Sequence, residues 1–144
     1  MCKQRLFLCF SKGFEIILKY FIKRGDVYLV DFGETVGSEQ SGQRPAVVVQ
    51  NDLGNLCSST TIVLPLTSGE KVDMCVHTKF TLMGIPNTVL AEQIRTISEE
   101  RFVLNEHNKP KYICTLSRAE MRKVDTALGM SIGLIPLPKK RNNK

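Results

Sequence analysis

Arg44 stands directly before Pro45 at the end of a long polar stretch, and a residue that precedes proline is held in an extended backbone. A guanidinium keeps its charge at physiological pH and presents a planar fork of donors that fits a phosphate. When a neighbouring hydroxyl attacks a phosphodiester, negative charge accumulates on the phosphoryl oxygens, so a fixed cation stabilises the transition state more than the ground state. Arg44 is on these grounds a candidate phosphate clamp; a solvated loop arginine is the bland alternative. Ser38, Glu39 and Gln40 in the same stretch, with Asn51, Glu92 and Gln93 further on, carry the donors and acceptors that read the edges of unstacked bases. Asn51, followed by Asp52, suits backbone capping equally well. Arg95 either meets phosphate or pairs with a carboxylate such as Glu92, and Ser68 either binds phosphate or caps a turn.

Other chemistries find little support. His77 and His107 would have to meet for two-histidine acid–base work, and His77 falls in a strand-like run while His107 falls in a polar loop. The acidic residues form no cluster that would hold Mg²⁺. Five cysteines make an odd set without a CxxC pair, which argues against a disulfide framework or a zinc site and for buried or half-buried free thiols in a reducing cytoplasm. No metal and no cofactor is expected.

Those residues need a scaffold, and 144 residues with 42% apolar and 24% charged composition suffice for one globular domain. The net charge of +6 sits at the ends: residues 1–22 carry +3, residues 138–144 carry +4, and the middle is left at −1. RNA binding would therefore rest on a local cationic patch and not on total charge. Residues 1–22 are read as an extension whose Phe10, Phe14, Ile17, Leu18 and Phe21 share one face of an amphipathic helix. Its apolar runs fall far short of the about 18 residues a membrane span needs, and no membrane association is expected. Residues 138–144 read as a basic disordered tail. Between them, residues 26–32, 46–50, 61–66, 75–80 and 88–94 read as five strands, which implies a mainly β (α+β) fold with an antiparallel sheet curling into a small barrel. Residues 33–43 form a connection long enough to be functional. Ser117 and Glu120 make a capping box that starts a helix at Arg118, with Val124, Leu128, Ile132 and Ile135 facing the barrel.

Three stretches resemble the MazF/PemK/Kid family of toxin endoribonucleases from type II toxin–antitoxin systems: residues 23–28 (KRGDVY), residues 37–52 from GSEQ through Arg44-Pro45 to QND, and residues 92–96 (EQIRT). Their order and spacing match from about residue 23 to residue 134. The resemblance implies an SH3-like barrel of the CcdB/PemK type with a C-terminal helix, a toxin domain over residues 23–137, and a homodimer. It implies cleavage of single-stranded RNA through 2′,3′-cyclic phosphate and 5′-hydroxyl ends, and a cognate MazE-like antitoxin whose acidic extended segment occupies the RNA cleft. Arg44 matches the family's catalytic arginine and Thr67 its second catalytic position. Residues 1–22 have no counterpart in the shorter members, and residues 69–74 look compressed. The competing expectation is a CcdB-like toxin that grips a protein target such as DNA gyrase without hydrolysis; a member that only binds RNA or antitoxin is a third.

Overall fold

The computed structural model describes residues 7–9, 17–19, 21–68 and 74–138. Its strands are β1 (Phe7–Cys9), β2 (Ile17–Lys19), β3 (Asp26–Asp31), β4 (Gln43–Val48), β5 (Thr60–Ser68), β6 (His77–Leu82), β7 (Ile85–Leu90), β8 (Arg95–Ser98) and β9 (Tyr112–Thr115), with helices α1 (Asp52–Cys57) and α2 (Arg118–Ser131). The main sheet runs β6-β7-β5-β4-β3-β9, and β8 also pairs with β5. Every ladder is antiparallel. The result is a curled, mainly β half-barrel with a C-terminal helix, as the sequence implied.

The two faces of the curled sheet follow from the period of two along each strand. Val27, Val47, Leu64 and Leu66 point to one side, where Val89, Val124 and Ala127 join them and α2 closes the core. Tyr28, Val30, Phe32, Ala46, Val48, Val63 and Ile97 point to the other and form a second cluster with Ile22 and Phe102. Burial on both faces explains why β3 reads as an almost continuous apolar run.

Strand β5 is the hub. Residues Val63 to Pro65 pair with β4 on one edge. On the other edge Thr60 to Val63 pair with β8 and Leu66 to Ser68 pair with β7. Leu66 faces Val89 and Val63 faces Arg95, so three residues on β5 correspond to six on the β7–β8 segment. The surplus is taken up by a 3-10 turn at Ala91–Gln93, after which the chain rejoins β5 as β8.

Several expectations are corrected. Ile17–Lys19, expected to be helical, is a strand paired with Phe7–Cys9. A short apolar run does not by itself distinguish the two periods, and a β-branched residue such as Ile17 favours extended backbone. Residues 10–16 and 20 lie outside the described residues, as do residues 69–73 and the tail at 139–144. Strands β8 and β9 and helix α1 had not been read from the sequence; the two strands span four residues each, and the six of α1 make less than two helical turns. Among the three cysteines whose burial is described, Cys57 and Cys75 are exposed and Cys114 is half-buried.

Helix α2 starts where the capping box placed it. Glu120 N–H donates to Ser117 Oγ at 3.3 Å, and Ser117 N–H donates to Glu120 Oε2 at 2.7 Å. Val124 is fully buried, but Ile132 is 53% exposed, because Gly133 at φ +78° ends the helix and turns the chain so that Ile135 packs against Gly129. The Ser117 N–H holds the Glu120 carboxyl below its ordinary value, with the Ser117 hydroxyl and Lys123 adding to the effect. A lowered folded value means that this contribution is complete above the ordinary carboxylate range and fades as pH falls through the depressed one. Ser117→Ala is expected to cost about 1 kcal/mol in urea denaturation at neutral pH, and the lead of wild type over Glu120→Gln is expected to shrink in acid.

Candidate active site

The β4–β5 register positions the two residues that the family resemblance singles out. Ala46 faces Pro65 and Val48 faces Val63; carried two residues further, the same register sets Arg44 across from Thr67. The ladder itself stops at Pro65, because Leu66 to Ser68 turn to pair with β7. The stretch beyond the last β4–β5 pair, a wedge between the start of β4 and the end of β5 in the sense that no ladder closes it, has Arg44 on one strand and Thr67 on the other. Both share the strand face of Ala46, Val63 and Pro65 by the alternation of side chains. Arg44 is half-buried, and its Nε donates to the Ser41 carbonyl at 2.8 Å. Thr67 is buried, with only a long 3.5 Å contact from its hydroxyl to the Ser68 carbonyl. Its hydroxyl is thus lightly committed and able to donate elsewhere. Ser68 is exposed and lies opposite Asn87.

Beside this wedge lies a cleft of about 540 Å³. Phe32 and Pro65 line it, with Val36, Ser38, Glu39 and Gln40 from the loop at residues 32–42, and Glu92, Gln93, Ile94 and Arg95 from the 3-10 turn and the start of β8. Six of the expected base- and phosphate-contacting residues are brought together there: Ser38, Glu39, Gln40, Glu92, Gln93 and Arg95. Arg44 is not among the lining residues, but it is tied to Ser41, the residue after Gln40. Arg95 does not pair with Glu92. Its guanidinium lies 5.8 Å from the centroid of the Phe32 ring, a cation–π contact that leaves its donors directed away from the ring. Glu92 instead meets His77 Nε2 at 3.0 Å, so the histidine set aside as non-catalytic supports a cleft residue from behind.

Asn51 stands apart. It accepts the Gly54 N–H at 2.8 Å as the N-cap of α1, at the opposite end of β4 from Arg44 and beyond it. The capping alternative describes its place. Phe32, Pro65, Val36 and Ile94 had not been read as site residues; the alternation of β3 marks Phe32 as buried but cannot say that a cation lies over it. The residues 23–28 of the first matching stretch are structural. Arg24 donates its backbone N–H to Asp52 and its guanidinium to the Val49 carbonyl and Asp125, while Asp26 accepts from Thr115 at 2.6 Å and Tyr28 at 3.2 Å. Among the described residues no three His, Cys, Asp or Glu side chains gather as metal ligands would, and no helix is long and apolar enough to cross a membrane.

A curled antiparallel sheet, closed by a C-terminal helix and carrying a cleft between a long β3–β4 loop and a 3-10 turn, defines a small β-barrel-like binding fold with a cation at its rim. The chain belongs to the family described as PemK-like, MazF-like toxins of type II toxin–antitoxin systems, whose profile matches residues 23–132. It is 41% identical over 118 residues to Endoribonuclease MazF of Staphylococcus epidermidis, covering 78% of this chain and 92% of that protein. It is 40% identical over 119 residues to Endoribonuclease EndoA of Bacillus subtilis, covering 79% and 97%. The fold matches MazF of Deinococcus radiodurans with a TM-score of 0.66 at 22% identity, over 80% of this chain and 99% of that one. A mycobacterial endoribonuclease in complex with its cognate antitoxin matches with a TM-score of 0.64 at 24% identity, over 81% and 99%.

Proposed function

We propose that this protein is a toxin endoribonuclease that cuts single-stranded RNA at short specific sequences, with residues 23–137 as the toxin unit. What supports the reading is the β4–β5 register, which carried on from Ala46–Pro65 sets Arg44 across from Thr67, in a chain about 40% identical to two proteins named endoribonucleases. With Nε spent on Ser41, the two terminal nitrogens of Arg44 form no hydrogen bond among the described residues and are available to a phosphodiester. As the 2′-oxygen attacks phosphorus, they meet the growing charge on the phosphoryl oxygens. The Thr67 hydroxyl donates to one of those oxygens or orients the attacking 2′-hydroxyl. The 5′-oxygen leaves with a proton, giving 2′,3′-cyclic phosphate and 5′-hydroxyl ends. Arg95 and Ser68 hold flanking phosphates, and Ser38, Glu39, Gln40 and Glu92 read bases seated in the cleft.

Long single-stranded RNA incubated with the protein in excess EDTA should yield discrete fragments with cyclic-phosphate ends. Intact RNA together with inhibited DNA gyrase would replace this reading with that of a CcdB-like binder, against which the family assignment stands. The partners follow from the same family: a cognate antitoxin whose acidic extended segment competes for the cleft, and a second copy of the chain in the cytoplasm. Light scattering should give twice the 16.2 kDa of one chain; a monomer would remove the homodimer.

A further inference from the structure

Gln93 was expected to read a base, yet both ends of its side-chain amide are engaged with protein backbone. Its Oε1 accepts the Gln40 N–H at 2.8 Å, and its Nε2 donates to the Ser38 carbonyl at 3.2 Å. One residue further on, the Ser41 carbonyl accepts from Arg44 Nε at 2.8 Å. Three side-chain bonds thus land on Ser38, Gln40 and Ser41 of one loop, two from Gln93 and one from Arg44. We propose that Gln93 is a positioning residue that latches this loop and, through the Ser41 carbonyl, sets the direction of the Arg44 guanidinium. The proposal rests on the ribonuclease reading given above.

The two ends of the latch differ in rigidity. Gln93 closes a 3-10 turn whose Ala91 is fully buried and bonded to the Val76 carbonyl at 3.2 Å. The loop's backbone anchor lies at its base, where Gly42 N–H donates to the Gly33 carbonyl at 3.0 Å. Val36 is 82% exposed, Gly37 and Gly42 adopt φ of +60° and +67° with open space where a Cβ would stand, and the loop's internal ties in its middle run through Glu39. Gln40 Oε1 is buried without a hydrogen-bond partner, so Gln40's own carbonyl does nothing to hold the loop in place. An amide offers both a donor and an acceptor, which is what clamping an N–H and a carbonyl two residues apart requires.

The test uses Gln93→Ala, which removes both bonds, and Gln93→Glu, which keeps the acceptor for Gln40 N–H and sets a carboxylate oxygen against the Ser38 carbonyl. In the free protein, Gln93→Ala should speed hydrogen exchange of the Gln40 amide by about tenfold or more and shift the NMR signal of the Arg44 Nε–H. With RNA, kcat should fall by about tenfold while KM moves less than about threefold, and adding Gln93→Ala to Arg44→Lys should cost less than about twofold further. Gln93→Glu should fall between wild type and Gln93→Ala in each readout. Unchanged Gln40 exchange, an intact kcat with a raised KM, or effects that multiply in the double variant would overturn the latch, the second of these marking a base reader. If the wild-type protein leaves RNA intact, it is the ribonuclease reading that fails, and the two free-protein readouts still decide the latch.

Discussion

Arg44→Ala is expected to slow single-turnover cleavage of RNA by about 10²- to 10³-fold, or about 2.7–4 kcal/mol, the loss seen when a positioned donor to a developing oxyanion is removed. The size follows from where the charge appears. A phosphodiester in the ground state already carries one negative charge that water solvates, whereas a pentacoordinate phosphorus gathers more of it on oxygens inside the wedge, where the guanidinium is already in place. Arg44→Lys keeps the charge but loses both the fork and the Nε bond to Ser41, so it should recover only part of the rate. Folding should be almost untouched, because a half-buried side chain with one hydrogen bond to a loop carbonyl contributes little. Cleavage within twofold of wild type in the alanine variant would place the chemistry elsewhere.

The sequence made the elements of the site legible more readily than their connections. Alternation exposed β3 and the core of β5, and the pairing of Ser117 with Glu120 gave the first residue of α2, because these signals are local and repeat along the chain. Arg44 could be singled out by its place before Pro45 and by the chemistry of a guanidinium. Its register against Thr67 could not, since that depends on how β4 and β5 pair across residues far apart in the chain. The same limit hid the Arg95–Phe32 contact and the engagement of Gln93 with residues 53 and 55 positions away. The helical reading of Ile17–Lys19 failed for the opposite reason. A stretch as short as Ile17-Leu18-Lys19 fits either period, and pairing with Phe7–Cys9 decided for a strand. Asn51 shows an ambiguity the residue type itself cannot resolve, because the oxygen that could read a base is the same one that caps α1.

Leu66→Ala is expected to destabilise the protein by about 2–5 kcal/mol, the cost of emptying a large buried aliphatic site. Leu66 has no exposed surface and lies in the cluster that joins β5 to Val89, Phe80 and Leu82 beneath Val124 of α2. It is also the residue at which β5 leaves β4 for β7, so close packing there fixes the angle at which Thr67 enters the wedge. Domain stabilities of about 5–15 kcal/mol leave the variant folded but with much of its margin gone. Its urea midpoint should fall with little change in slope. Leu53→Ala, at a position 70% exposed, should stay within about 0.5 kcal/mol of wild type in the same measurement. At temperatures where both variants remain folded, only Leu66→Ala should also slow cleavage, because the strand that carries Thr67 would no longer be packed from behind. A loss below about 1 kcal/mol at Leu66 with unchanged slope would mean that the bend in β5 is held by its ladders alone, and that the wedge does not depend on the core beneath it.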